Sequence, residues 1–230
     1  MFNKIENNKN KADSCESALF VYKPNFQIER ELLTQGHKII AGIDEAGRGS
    51  LVGPLTVGLT IYSQETIHST NLELDDSKKL SLKSRLKAYE IIKSTAVISQ
   101  TFSASHEIVD ELNVNKATEY AIISLLDIIK IVPDILIIDG NMKFNLPIPY
   151  VSIKKGDSKS LSIASASIMA KVTRDNLLID YAKQYPEYDL DKNMGYGTKA
   201  HQEVIHKLGG SPIHRRTYDP LKTILAGHTV

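Results

Sequence analysis

An α/β domain with a mixed sheet is the fold class that the sequence predicts, on three observations. Strand-like and helical stretches follow one another in mixed order along the 230 residues. Two strand-like runs, Lys38–Asp44 and Leu51–Tyr62, come early and without a helix between them, as in a hairpin. A continuous apolar run, Ile135–Ile138, comes later and leads through a short strand to a long helix.

Taken in order, residues 1 to about 24 are rich in Asn, Lys and Glu and form a polar, disordered tail. From Pro24 a helical pattern (Phe26, Ile28, Leu32, Leu33) runs to Gly36, a residue that stops helices well. The two early strands follow, the second with Gly53-Pro54 near its start as a bulge or edge. Asp75 to Leu80 is a charged loop, after which Ser81 caps a helix to about Ser94. Ala96 to Ala104 is β-like, and Asn115 to Ile131 is an amphipathic helix broken by Pro133. Ile135–Ile138 ends in Asp139-Gly140-Asn141, and Val151–Ile153 leads into Lys154-Lys155-Gly156-Asp157. A helix from about Leu161 to Gln184 begins with small residues that can pack closely on a sheet. Met194 to Thr198 is a loop, Thr198 to Leu208 a helix stopped by Gly209-Gly210, and Ser211 to Val230 is unpatterned apart from its basic residues.

The composition narrows the class. Hydrophobic residues are 42% and charged residues 24% of the chain, the balance of a globular domain, or of one domain with a small appendage. No apolar run approaches the ~18 residues of a membrane span, and the polar start is no secretory signal. Cys15 is the only cysteine, which excludes a disulfide framework or zinc-cysteine cluster and makes a reducing, cytoplasmic setting the expectation. A net charge of +1 argues against a globally basic nucleic-acid binder, yet leaves room for a local basic patch.

The chemistry gathers at Gly42-Ile43-Asp44-Glu45-Ala46-Gly47-Arg48-Gly49. An acidic pair at the end of an apolar strand costs several kcal/mol unless neutralised, and hard carboxylate oxygens suit Mg²⁺ or Mn²⁺. Gly47 and Gly49 leave backbone N–H groups bare beside the cation of Arg48, suited to a phosphate or sugar. Asp139 and Asp157 likewise stand where apolar strands run out. If strands 38–44 and 135–139 are parallel neighbours, Asp44 and Asp139 stand side by side at the end where α/β sheets bind ligands. A lone strand-end Asp is ordinarily a turn former; three of them point to a site. Glu45 joins only if the chain turns at once, because successive strand side chains face opposite ways; otherwise it is a surface residue. Asp175 is a rival to Asp157 but lies roughly 20 Å along the same helix at ~1.5 Å per residue. Asp157 is the better ligand, and Asp175 is expected to pair with a base on a solvated face.

Lys78-Lys79, Lys154-Lys155 and Arg215-Arg216 are each a solvated face unless they ring the acids. Tyr196, between glycines, either stacks on a sugar or base or packs over its own loop. His201, His206 and His214 show no metal-ligand spacing.

The octapeptide resembles the motif of ribonuclease HII, the type 2 RNase H enzymes. The resemblance continues through Gly53-Pro54, Asp76 to Ser81, Asp110 to Asn113, Ile138-Asp139-Gly140 and Lys155-Gly156-Asp157. Ile163 to Ile168, Ala170 to Asp175, Gly195-Tyr196-Gly197-Thr198 and His214-Arg215-Arg216 complete it, over roughly residues 26–220. Ser50-Leu51-Val52 departs from the Pro-Leu-Ala expected there.

This resemblance implies an RNase H-like fold, a five-stranded mixed sheet flanked by helices. It implies a catalytic domain over 25–185 and a helical C-terminal region over 186–230 that completes the substrate site. It implies that Asp44, Glu45, Asp139 and Asp157 hold two Mg²⁺ or Mn²⁺ ions, that Gly47, Arg48 and Gly49 read the ribose, and that Tyr196 senses the RNA-to-DNA junction, with Lys78 and Lys79 binding substrate. The activity implied is cleavage on the 5′ side of ribonucleotides, in RNA/DNA hybrids or singly within duplex DNA, leaving 5′-phosphate and 3′-hydroxyl ends, by a monomer serving replication and repair. The rival readings are the sister enzyme ribonuclease HIII, which carries an extra N-terminal domain, and a non-catalytic hybrid-binding protein, against which the full set of acids speaks.

Overall fold

The computed structural model describes residues 23–69 and 81–227. Residues 1–22 of the expected tail and the loop carrying Lys78 and Lys79 lie outside the described residues.

Five strands form one mixed sheet in the order β3-β2-β1-β4-β5. β2 (Leu55–Ile61) runs antiparallel to both β1 (Ile40–Ala46) and β3 (Ile98–Ala104). β4 (Ile135–Asp139) and β5 (Tyr150–Ile153) run parallel to β1. The expected hairpin and the expected parallel pair are therefore both present. Leu51 to Pro54 is not strand: Gly53 has φ +73°, and β2 begins only at Leu55.

Helices cover both faces. α1 (Gln27–Thr34), α2 (Gln64–Ser69), α3 (Leu82–Thr95) and α5 (Leu161–Gln184) lie on one side, and α4 (His106–Ile128) on the other. The pleat sorts β1 between them. Ala41 and Ile43 enter the core with Ala121, Ile122 and Leu125 of α4, whereas Gly42 lies against Ser162 of α5. The small residues of α5 matter because helix and sheet backbones nearly touch. A Cβ at Gly58 of β2 would come within 2.2 Å of the Ala166 carbonyl oxygen.

The expected Ser81 cap is present, its hydroxyl accepting from the Ser84 N–H, and Ser160 caps α5 in the same way by accepting from the Ile163 N–H. The α5 N-terminus gains a second acceptor, the buried Glu29 of α1, whose Oε1 takes the Ser162 N–H at 3.0 Å and the Ser160 hydroxyl at 2.6 Å. α4 starts nine residues before the expected Asn115, at His106. It is interrupted at Asn113 (φ 64°), whose Oδ1 accepts the N–H groups of Asn115 and Lys116. Ahead of that break Ser105 caps the helix by accepting the Ile108 N–H, and Val109 is buried, so the helix begins before the amphipathic run.

The C-terminal region adds α6 (Leu190–Asn193), α7 (Lys199–Leu208) and α8 (Leu221–Gly227). α8, within a stretch without sequence pattern, is too short at 7 residues for a period to show. These elements assemble around Ser50 to Gly53. Leu51 N–H donates to Gly195 O on one side, and Gly53 N–H to Ile213 O on the other, while Arg215 N–H donates to Leu51 O.

Candidate active site

β1 and β4 are in register up to Ile43 beside Ile138, so the next residues, Asp44 and Asp139, stand side by side where the parallel pairing stops. Asp157 arrives from the 3₁₀ turn Gly156–Ser158. That turn is fastened to β4 by Gly156 N–H, which donates to Asp139 Oδ1 at 2.6 Å. One carboxylate oxygen from each of Asp44, Asp139 and Asp157 lies within 4.8 Å of the others. Asp44 and Asp157 are buried and Asp139 half-buried. A compact set of hard, anionic oxygens fits a divalent cation of the Mg²⁺ or Mn²⁺ kind.

The electrostatics agree with that fit. The Asp44 carboxyl is pushed well above the ordinary carboxylate range, first by burial, then by repulsion from Glu45 and Asp139. Hydrogen bonds from Ser167 and from the Glu45 N–H work in the opposite direction. A bound divalent cation reverses the balance by favouring the ionised form.

Glu45 stands apart from the three. The strand does not turn after Asp44 but pairs Glu45 with Val57 and continues to Ala46. Glu45 therefore takes the opposite pleat position to Asp44, with its Oε1 3.5 Å from Arg48 Nε. It still borders the same cleft of about 250 Å³ as Asp44 and Asp139, together with Gly47, Arg48, Gly49 and Tyr196.

Arg48 is held from α4, where Thr118 Oγ1 accepts from Nη1 at 3.0 Å and Asn115 Oδ1 from Nη2 at 2.6 Å. Its carbonyl oxygen accepts from Arg215 Nη1 and from the Tyr218 hydroxyl, both at 3.0 Å. Tyr196 is 39% exposed and presents its ring to the cleft. Lys171 Nζ and the Arg174 guanidinium lie 5.9 and 5.7 Å from the ring centre.

Several expectations need correction. Asp175 pairs with bases, Lys171 Nζ at 2.7 Å and Arg85 Nη1 at 3.6 Å, but it is buried, not on a solvated face. Arg215 is neither a solvated face nor a phosphate clamp. It is fully buried and donates to the carbonyls of Gly53 and Arg48; Arg216 alone of that pair is exposed. His201 and His214, which have no metal-ligand spacing in the sequence, lie outside the acidic cluster and are buried in mutual contact at 3.2 Å. Lys154 and Lys155, by contrast, are exposed and do not border the Tyr196 cleft, in keeping with the solvated face expected of them.

Sequence reasoning passed over three residues of α5. Ser167 and Lys171 border the cleft, and Arg174 is buried, donating to Pro54 O, Val52 O, Met194 O and Ser50 Oγ. Their spacing of four and three along a helix puts them on one face, a signal that was legible. The hydroxyl of Ser50, where the motif departs from expectation, is one of the acceptors for Arg174.

Comparison with known proteins places this architecture. Ribonuclease H2 from Pyrococcus horikoshii superposes with a TM-score of 0.70 at 24% identity, covering 82% of this chain and 98% of that one. Bst-RNase HIII, solved in complex with Mn²⁺, superposes with a TM-score of 0.62 at 17% identity, covering 96% and 77%. Those likenesses show that the chain has the fold of these two ribonucleases. At the level of sequence, the family described as ribonuclease HII matches residues 41–220. Ribonuclease HII of Enterococcus faecalis is 42% identical over 205 residues, 89% of this chain and 79% of that protein. That of Endomicrobium trichonymphae is 43% identical over 202 residues, 87% and 95%. The chain belongs to the ribonuclease HII family and is accordingly a ribonuclease H endonuclease. No helix among the described residues is long and apolar enough to cross a membrane.

Proposed function

We propose that the chain hydrolyses the phosphodiester on the 5′ side of ribonucleotides, in RNA/DNA hybrids and singly within duplex DNA, leaving 5′-phosphate and 3′-hydroxyl ends. The observation that carries this reading is the convergence of Asp44, Asp139 and Asp157 beside a ledge of Gly47, Arg48 and Gly49. Asp44, Asp139 and Asp157 would hold divalent ions, with Glu45 reaching them from the cleft edge. When bound, a pair of such ions supplies a nucleophilic water at neutral pH and neutralises charge on the departing 3′ oxygen.

The rest falls to the chain's own groups. Ser167 donates to Asp44 and favours its ionised form. Arg48, tethered by Thr118 and Asn115, offers a fixed cation to a backbone phosphate. Gly47 and Gly49 let the backbone approach a ribose 2′-hydroxyl, which is read and not used as the nucleophile. Tyr196 stacks on the following sugar, where a second hydroxyl fits badly, and so favours an RNA-to-DNA junction. A role in removing ribonucleotides during replication and repair accords with that substrate.

The deciding assay compares a duplex holding one ribonucleotide, a long hybrid and plain DNA, with Mg²⁺ or Mn²⁺ and then with EDTA. Cleavage of the first two only, abolished by EDTA and leaving the stated ends, is the expected result. Products ending in a cyclic phosphate, or cleavage in EDTA, would refute the mechanism. Tyr196→Ala is expected to lose at least about 10-fold in cleavage of the single-ribonucleotide duplex, with little change in melting temperature. Parental activity in that variant would leave Tyr196 a packing residue.

Linkage gives a further expectation. A raised folded-state pKa means that the stability from Asp44 is complete below its ordinary value of 3.8 and is lost as pH rises through the raised value. The melting-temperature gain on adding Mn²⁺ should therefore grow as pH rises from the ordinary value of 3.8 through the raised one, since ionised Asp44 is what the cation rescues. In Asp44→Asn the gain should be small and flat. A parental, pH-dependent gain in that variant would place the ion elsewhere.

A further inference from the structure

Behind Tyr196 lies a buried pair of imidazoles to which the proposed chemistry assigns no step. Ser211 N–H donates to His214 Nδ1 at 2.9 Å, and the Ser211 hydroxyl lies 2.7 Å from the same nitrogen. His214 Nε2 is 3.2 Å from His201 Nε2, and His201 Nδ1 is 3.0 Å from the Tyr196 carbonyl oxygen. Both rings are 1% exposed and pack against Tyr188.

The two ends of this chain fix its protons. A backbone N–H only donates, so His214 Nδ1 must be the bare nitrogen; a carbonyl only accepts, so His201 Nδ1 must carry hydrogen. With both rings neutral, one arrangement satisfies every contact: His214 Nε2–H donates to bare His201 Nε2. A proton added to either ring would set two N–H groups head to head. Burial favours the neutral forms, holding His201 below the ordinary histidine range and His214 down at about 4.

We infer that His201 and His214 are positioning residues for the substrate site, a directional hydrogen-bond relay running from Ser211 to the Tyr196 carbonyl that sets where the Tyr196 ring stands in the cleft. This rests on the role proposed above for Tyr196. The geometry supports it because the Tyr196 backbone is otherwise held by its own loop, through Tyr196 N–H to Asn193 O and Thr198 N–H to the Tyr196 carbonyl, while Lys171 and Arg174 touch only its ring. α7 brings His201, and the segment after Gly210 brings His214, so two separate parts of the C-terminal region meet behind Tyr196.

The test combines spectroscopy with a mutant cycle on the full chain. Long-range ¹H–¹⁵N correlation at neutral pH should show His201 as the less common Nδ1–H tautomer and His214 as the Nε2–H tautomer. His201→Phe should lose about 10- to 100-fold in kcat/KM on the single-ribonucleotide duplex, the range for sub-ångström misplacement. His201→Asn, whose side-chain amide can take the place of Nδ1–H, should recover most of the loss. In a Tyr196→Ala background, His201→Phe should cost little more. An Nε2–H tautomer or an imidazolium at His201 would overturn the relay. Equal losses in both backgrounds, or an unimpaired His201→Phe beside an impaired Tyr196→Ala, would overturn the positioning role alone. An unimpaired Tyr196→Ala would sink the underlying reading of Tyr196, and this inference with it.

Discussion

Asp44→Asn is expected to lose at least about 10³-fold in cleavage rate, roughly 4 kcal/mol of transition-state stabilisation, while the fold survives. The substitution keeps shape and removes one negative charge from a site where Asp44, Asp139 and Asp157 crowd within 4.8 Å. Without a divalent ion that charge is a liability, as its upward pKa displacement shows. The variant's melting temperature in EDTA should therefore match or exceed the parent's. Asp175→Asn is the control with the opposite pattern: its carboxylate is matched by Lys171 and Arg85, so its loss should show in stability before activity. Single-turnover cleavage and thermal melts on both variants check the pair. A near-parental rate for Asp44→Asn would remove the acidic cluster from the mechanism.

Gly47→Ala is the second large effect, and it strikes fold and site together. Gly47 has φ +95°, a conformation in which a side chain is strained. A Cβ there would also lie 2.1 Å from Arg174 Nε. Arg174 cannot swing away cheaply, because its guanidinium is buried and committed to Pro54 O, Val52 O, Met194 O and Ser50 Oγ. Relief must come from displacing the loop, so a loss of about 3 kcal/mol or more is expected, with cleavage reduced at least about 100-fold. Chemical denaturation and the single-ribonucleotide assay measure the two losses. A variant within about 1 kcal/mol of the parent in stability would show that Arg174 does not pin this loop.

The elements legible in the sequence were those with short-range causes. α5 runs from Leu161 to Gln184 as its residues indicate, because Ser160 caps one end and a stripe of small residues meets the sheet. Ser81 and Thr198 announced α3 and α7 in the same way, each accepting the N–H three residues on. Asp44 and Asp139 were legible as neighbours once their strands were taken as parallel, since each ends an apolar run. Glu45 was legible only as a condition: the chain had to turn at once to bring it to the other acids, and it turns one residue later.

By itself, then, the sequence determined the strands, the capped helices, the acidic strand ends and the bare Gly-Arg-Gly ledge, all consequences of neighbouring residues acting on one another. Tertiary structure alone decided what stands behind that ledge. Arg174 finds its acceptor at Pro54 across 120 residues and Arg215 finds Gly53 across 162, while His201 and His214 meet ring to ring inside the core. Backbone carbonyls, which have no residue identity, take most of the hydrogen bonds of these buried cations, so no local pattern records the pairing. The partners exist only once the chain has closed around them.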